Sequence, residues 1–413
     1  MNALISLLGI VVLLGIAYLC STNRKSINLR TVGVAFLLQF FIGGLVLFVE
    51  KGKQALEAVA FGVQEVINYS QAGLDFMLGG LVSGKMFELF GDNLGFVFAF
   101  RVLPVIIFFS SLIAVLYHLK FMQLVIKLLG GSLQKLLGTS RAESMSAAAN
   151  IFVGQTEAPL VIRPYIANMT RSELFAIMSG GLASVAGTVL AGYSGMGVEL
   201  KYLIAGCFMA APGGLLFAKI LLPETDTPID AVLEGPKEDL PANVFDAAAT
   251  GASSGLKLAA NVGAMLLAFI GLIALVNGVV GGVAGLFGFP DLTLQAILGT
   301  LFAPLAWVIG VPWSECFQAG SFIGQKLILN EFVAYADFVQ IKDTLLPRTQ
   351  VLVTLALCGF ANLSSIAILL GGIGGMAPSR RQEIANLGLR AVFAGSLSNF
   401  MSAAIAGFFI AFS

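Results

Sequence analysis

Charge is scarce in this chain: 11% of its 413 residues are Asp, Glu, Lys or Arg, against 58% hydrophobic residues. So little polar surface cannot cover a water-soluble core, which excludes an ordinary soluble domain and leaves a polytopic protein of the lipid bilayer. Basic and acidic residues balance at 23 each, so no positive excess invites a nucleic acid. The single histidine, His118, stands beside Lys120 at the end of an apolar run. With no GxSxG, HExxH or GxGD pattern, nothing resembles hydrolase machinery, and the chain is read as no enzyme. Cys20, Cys207, Cys316 and Cys358 form no CxxC pair, which excludes a thiolate metal framework and points to small buried hydrophobes. Rings of like charge, which a passive channel would need, are missing too.

What the chain has is apolar length. Crossing roughly 30 Å of hydrocarbon takes about 20 residues of helix. Charge-free runs of that order occupy 1–20, 31–49, 174–198, 258–290, 349–379 and 391–413. The run 93–117 is interrupted only by Arg101, and 202–218 can be lengthened by snorkelling Lys201 and Lys219. The first run lacks a basic n-region and an A-x-A site, so it reads as a span and not as a cleaved leader. Arg24, Lys25 and Arg30, then Lys120, Lys127, Lys135 and Arg141, then Arg380, Arg381 and Arg390 collect in loops that face the cytoplasm if both termini lie outside. The proline-rich, acidic segment 222–250 falls inside by that count and argues against it, three loops to one.

Leu119 to Leu137 mixes apolar residues with Lys120, Gln123 and Lys127 at helical spacing, which suits a helix in the interface plane, and Leu292 to Gly310 takes the equivalent place later. The order span, surface helix, broken segment, span, span therefore occurs twice. Three crossings per unit is an odd number, so the second unit lies upside down relative to the first. The expected fold is an all-α polytopic membrane protein of eight transmembrane helices, two re-entrant helical hairpins and interfacial helices, with inverted-topology repeats. Its expected parts are scaffold spans and an extracellular segment over 1–91, a first repeat over 92–221, a cytoplasmic loop over 222–257 and a second repeat over 258–413.

The two broken segments carry the polar interest. Phe152-Val153-Gly154-Gln155 and Phe322-Ile323-Gly324-Gln325 are near-copies, each followed closely by a lone glutamate, Glu157 or Glu331. Gly154-Gln155-Thr156-Glu157-Ala158-Pro159 breaks a helix and frees backbone groups, which survive at membrane depth only where they line a cavity. Burying either carboxylate costs about 2.5 to 3.5 kcal/mol on insertion scales, so each needs a ligand, an ion or a neighbour. A purely structural pairing with Arg163 and Lys326, or a capping role, is the alternative. The following spans are interrupted by Ser184, Gly187 and Thr188 in one case and by Gly359-Phe360-Ala361-Asn362-Leu363-Ser364-Ser365 in the other. Carboxylates, amides, hydroxyls and one ring, with no aimed cationic cluster, suit a neutral, hydroxyl-rich ligand with an apolar or aromatic part.

Gly154 to Pro159, Asn330-Glu331-Phe332-Val333-Ala334-Tyr335 and Gly359 to Ser365 together resemble the signatures of the concentrative nucleoside transporters, in the bacterial, sodium-coupled form. The resemblance spans essentially the whole chain. It implies a symporter that imports nucleosides across the inner membrane on the sodium gradient by alternating access, assembled as a homotrimer. It further implies that Gln155, Thr156, Glu157 and Val189 face the nucleobase, while Glu331, Asn362 and Ser365 hold the ribose beside Phe360. A sodium ion would take Asn150 and Ser184 by side chain and Val153 and Val185 by carbonyl, all oxygen donors as a hard cation prefers. Coupling to a proton on a buried glutamate is the alternative.

Overall fold

The computed structural model describes residues 2–228 and 241–412, and among the described residues there is no strand. The amino-terminal quarter holds α1 (Asn2–Leu19), α2 (Leu29–Leu47), α3 (Glu50–Leu78) and α4 (Lys85–Gly95). A first unit follows: α5 (Phe98–Arg101), α6 (Leu103–His118), α7 (Phe121–Leu137), α8 (Arg141–Ala149), α9 (Arg163–Ile166), α10 (Arg171–Ala183), α11 (Gly187–Gly195) and α12 (Leu200–Leu221). The second comprises α13 (Val244–Gly285), α14 (Leu294–Val308), α15 (Cys316–Ile328), α16 (Glu331–Ile341), α17 (Pro347–Leu357), α18 (Ser365–Met376) and α19 (Arg381–Ile410). The two units share one order: long helix, helix, helical hairpin, interrupted helix, long helix.

Every expected span has a helical counterpart, and among the described residues six stretches are individually long and apolar enough to cross a membrane. They are Leu29–Leu47, Phe98–His118, Arg171–Gly195, Leu200–Leu221, Val244–Gly285 and Pro378–Ile410, with shorter apolar helices at Ala3–Leu19, Leu294–Val308 and Ser365–Met376. The interruption at 358–364 is what shortens the helices on either side of it.

Burial separates a centre from a rim. In Arg171–Gly195 and in Leu200–Leu221, 94% of the most apolar window is buried, against 11% in Val244–Gly285 and 22% in Phe98–His118. α10, α12, α17 and α19 pack on one another as the core, while α6 and α13 pair along their lengths at the rim. Small residues let that pair come close: a Cβ on Gly255 would lie 2.8 Å from Ile107 Cα. On α7, Met122, Ile126 and Gly130 repeat every four residues on the buried face, while Phe121, Leu124 and Leu128 stay exposed. That is the two-faced helix the sequence predicts.

Two expectations need correction. The loop over 222–257 ends early, because α13 begins at Val244 behind the Asn243 cap, whose Oδ1 accepts the Asp246 N–H at 3.0 Å. Residues 229–240 of that loop, with Pro236, lie outside the described residues. The duplicated four-residue phrase also takes two different shapes. Phe152 to Gln155 is a non-helical turn, whereas Phe322 to Gln325 lies inside α15, whose chain reverses only at Leu329 and Asn330. Pro159 and Pro164 bar an ordinary helix after the first turn, and no proline follows the second copy until after α16.

Candidate substrate and cation site

The first hairpin starts from a capping box, Ser140 against Glu143, and α8 stops at Ala149. Its turn closes partly on itself: Glu157 and Ala158 donate backbone N–H groups to Gly154 O, and Glu157 Oε2 accepts the Gly154 N–H at 3.3 Å. One carbonyl reaches outward, since Phe152 O accepts the N–H of Gly187, the first residue of α11, at 2.9 Å. The hairpin tip is thereby fastened to the gap between α10 and α11.

The second hairpin turns at Asn330, whose Oδ1 caps α16 through the Val333 N–H at 2.9 Å. Glu331 is then the first residue of α16, where the free N–H groups and positive dipole end favour a carboxylate. Its two oxygens accept Tyr193 Oη and Asn362 Nδ2, each at 2.9 Å. Asn362 Oδ1 in turn accepts the Ser365 N–H at 2.9 Å and Ser364 Oγ at 2.7 Å, and Gln155 Nε2 reaches Ser365 Oγ at 3.4 Å. A continuous chain, Gln155 to Ser365 to Asn362 to Glu331 to Tyr193, thus joins both hairpins and both interrupted helices. All five residues are buried.

The two interruptions also meet directly. Phe360 N–H donates to Ser184 O at 3.2 Å, and Asn399 Nδ2 from α19 spans Ala183 O at 2.6 Å and Cys358 O at 2.8 Å. Gly359 is required at that crossing, because a Cβ there would sit 2.8 Å from Ala183 O. Thr156 packs toward α18, where a Cβ on Gly372 would meet its Cγ2 at 3.0 Å. Phe360 lies near the first tip, 3.8 Å from where a Gly154 Cβ would project. Val189 is buried on α11, one turn before Tyr193 on the same face.

Of the four expected cation donors, Asn150 gives the clearest signal: its Oδ1 is buried and has no hydrogen-bond partner. Its amide lies against α10, 3.5 Å from where a Gly180 Cβ would project. Ser184 Oγ donates to Gly181 O at 3.3 Å, Val185 O receives only the Cys207 thiol at 3.8 Å, and Val153 is fully buried. Gln155 Oε1 and Thr188 Oγ1 are likewise buried without partners. An orphaned amide oxygen beside hydroxyl and carbonyl oxygens fits a hard monovalent cation.

The sequence reading did not single out Tyr193 or Asn399. Tyr193 was findable, four residues beyond Val189 in a half-helix of small residues. Asn399 sits mid-helix in α19 in a stretch with Ser396, Ser398 and Ser402, and only its contacts mark it. Lys326 does not pair with Glu331 as the structural alternative would have it; its Nζ donates to Ala356 O and Asn399 Oδ1.

Two hairpins that bring buried polar groups to a pair of interrupted, mutually bonded helices inside an apolar helical body define the secondary-transporter class of membrane protein. Family profiles described as the N-terminus and C-terminus of a Na+ dependent nucleoside transporter match residues 8–81 and 202–407, and one described as nucleoside recognition matches 99–199. The chain belongs to this family of nucleoside transporters, which are not enzymes. It is 58% identical to an uncharacterized transporter of Haemophilus influenzae, over 99% of this chain and 98% of that protein. It is 51% identical to the nucleoside permease NupC of Helicobacter pylori, with the same two coverages. The solved structure of CNTnw in an inward-facing substrate-bound state superposes with a TM-score of 0.96 at 62% identity, covering 100% of this chain and 99% of that one.

Proposed function

We propose that this protein is a sodium-coupled nucleoside symporter of the inner membrane, with eight spans, both termini periplasmic, two re-entrant hairpins in inverted repeats, and a homotrimeric assembly. The observation that carries the reading is the hydrogen-bonded chain centred on Glu331, which draws polar groups from both units into one place. Glu331, Asn362 and Ser365 hold the ribose hydroxyls, with Phe360 beside them, because a carboxylate and an amide accept from and donate to a diol at once. Gln155, Thr156, Glu157 and Val189 face the base, and the unpartnered Gln155 Oε1 supplies an acceptor for a ring N–H. Sodium sits at Asn150, Val153, Ser184 and Val185, and it supports the tip that carries Gln155.

Coupling then follows from the shared wall. Cation and nucleoside stabilise the same arrangement of the first tip, so each favours the closed state that the other binds, and the hairpins exchange exposure between the two sides. One charge moving down 100 mV releases about 2.3 kcal/mol, enough for roughly 50-fold accumulation. A second reading, proton coupling, is favoured by the burial of Glu331. Uridine uptake into proteoliposomes with sodium replaced by choline separates the two: undiminished uptake removes the sodium assignment, and uptake that then follows a pH gradient supports the proton. Glu331→Gln, folded and inserted, should reduce uptake to background.

A further inference from the structure

Lys326 is fully buried in the last turn of α15, and among the described residues no carboxylate lies within ion-pair distance of it. Its ammonium rests instead on neutral oxygens: Nζ donates to Ala356 O at 2.8 Å and to Asn399 Oδ1 at 2.7 Å, with the Phe400 ring centroid 6.0 Å away. Ala356 is in the last turn of α17, next to the break, so its carbonyl belongs to the negative end of a helix that stops in mid-protein. Asn399 then hands the arrangement on, its Nδ2 donating to Ala183 O and Cys358 O, one from each interrupted helix.

The first unit offers a mirror of this place and a contrast to it. There, too, a hairpin arm packs beside the end of an interrupted helix, α8 with Asn150 against the last turn of α10. Among the described residues no lysine bonds there, and Asn150 Oδ1 is left without a partner. One break therefore presents an amide oxygen with nothing on it, and the other presents oxygens that already hold a positive charge.

We propose that Lys326 is a tethered cation, a positioning residue that does at the second break what a dissolved sodium ion does at the first. Its charge draws together the carbonyl end of α17, the Asn399 bridge and the α15 arm that leads to Glu331. The second break consequently needs no ion from solution, and the protein couples to the ion at the first alone. The comparison with sodium rests on the proposed function; the local assignment of Lys326 does not.

The test compares the parent with Lys326→Ala, Lys326→Gln and Lys326→Arg, reading labelled uridine binding to purified protein first at fixed sodium and then across a sodium titration. Lys326→Ala should bind uridine on the order of tenfold more weakly or worse, because two hydrogen bonds from a charged group are lost. Adding n-propylammonium, which replaces the deleted atoms, should restore binding saturably, and 1-propanol of nearly the same shape should not. The sodium dependence of Lys326→Ala should become steeper, its Hill coefficient rising from about one toward two as a second ion enters the vacated oxygens. Lys326→Arg, which keeps the charge, should stay within a few-fold of the parent. Rescue by 1-propanol equal to that by the amine, or parent-like binding by Lys326→Gln, overturns the assignment, and the Lys326→Gln measurement decides even where Lys326→Ala does not fold. Folded Lys326→Ala that responds to neither amine nor sodium overturns it as well. A parent that binds no uridine would sink the proposed function and would register separately, before any variant is compared.

Discussion

Tyr193 shows how a single hydroxyl can set the geometry of a site. It is buried between the rings of Phe332 and Tyr335, both centroids 4.7 Å away, and its Oη is aimed at Glu331. One edge-on and one tilted contact fix the ring, so the hydrogen bond is preorganised before any ligand arrives. Tyr193→Phe keeps that packing and removes one bond to a carboxylate, worth about 1.5–3 kcal/mol, so uridine half-saturation should rise roughly 10- to 150-fold. A value matching the parent would take Tyr193 out of the site. Asn150 makes the opposite case, since its Oδ1 contributes nothing to the protein by itself. Asn150→Ala should raise the sodium concentration for half-maximal uptake by about tenfold or more while barely moving the melting temperature, because the lost contact is to an ion and not to the fold. Equal losses in both measurements would mark the amide as structural.

At the scale of elements, the base of the first hairpin is held by a buried charge cluster that the site does not use. Lys219 on α12 pairs with Glu143 of α8, approaches Glu224 at 3.6 Å and donates to Ser172 Oγ of α10 at 2.9 Å. Two capping boxes, Ser140 with Glu143 and Thr170 with Glu173, bring α8 and α10 into this cluster by their first turns. The helix starts therefore serve twice, ending the helices and anchoring them to α12. Lys219→Met leaves the Glu143 carboxylate buried without its cation, a loss of about 3–5 kcal/mol. Thermal unfolding should show it, and adding Glu143→Gln should return part of the stability, because the stranded charge is then gone. If the double variant unfolds no later than the single one, burial of an unpaired charge is not the cause.

Across the whole molecule, the two units interlock and do not simply abut. Of the core helices, α10 and α12 come from the first unit and α17 and α19 from the second, and the crossing of the two breaks lies among them. Ligand binding at that crossing should be felt by the entire fold. Uridine at about 100 times its dissociation constant should stabilise the protein by about 2.7 kcal/mol, and only when sodium is present, if the two share the first tip. Equal stabilisation in choline would separate the cation from the nucleoside.

Composition and periodicity were enough for the helical class and for several of the polar positions, because a bilayer forces a long apolar run for each crossing and makes interior carboxylates and clustered polar side chains conspicuous. Glu157, Glu331, Asn362 and Ser365 stood out for that reason alone. Which partner each would take was not legible. The contact of Glu331 with Tyr193 instead of Lys326, the stitching of Ser184 to Phe360, and the service of Asn399 to both breaks all depend on residues far apart in sequence meeting at one point. The two copies of the Phe-x-Gly-Gln phrase, one a turn and one a helix, make the same distinction: local sequence supplied the candidates for a break, and flanking prolines and the packed neighbours chose where the chain would bend. Hydrogen bonding inside an apolar body is a requirement on whole neighbourhoods, and only the folded arrangement says which donors and acceptors are close enough to meet it.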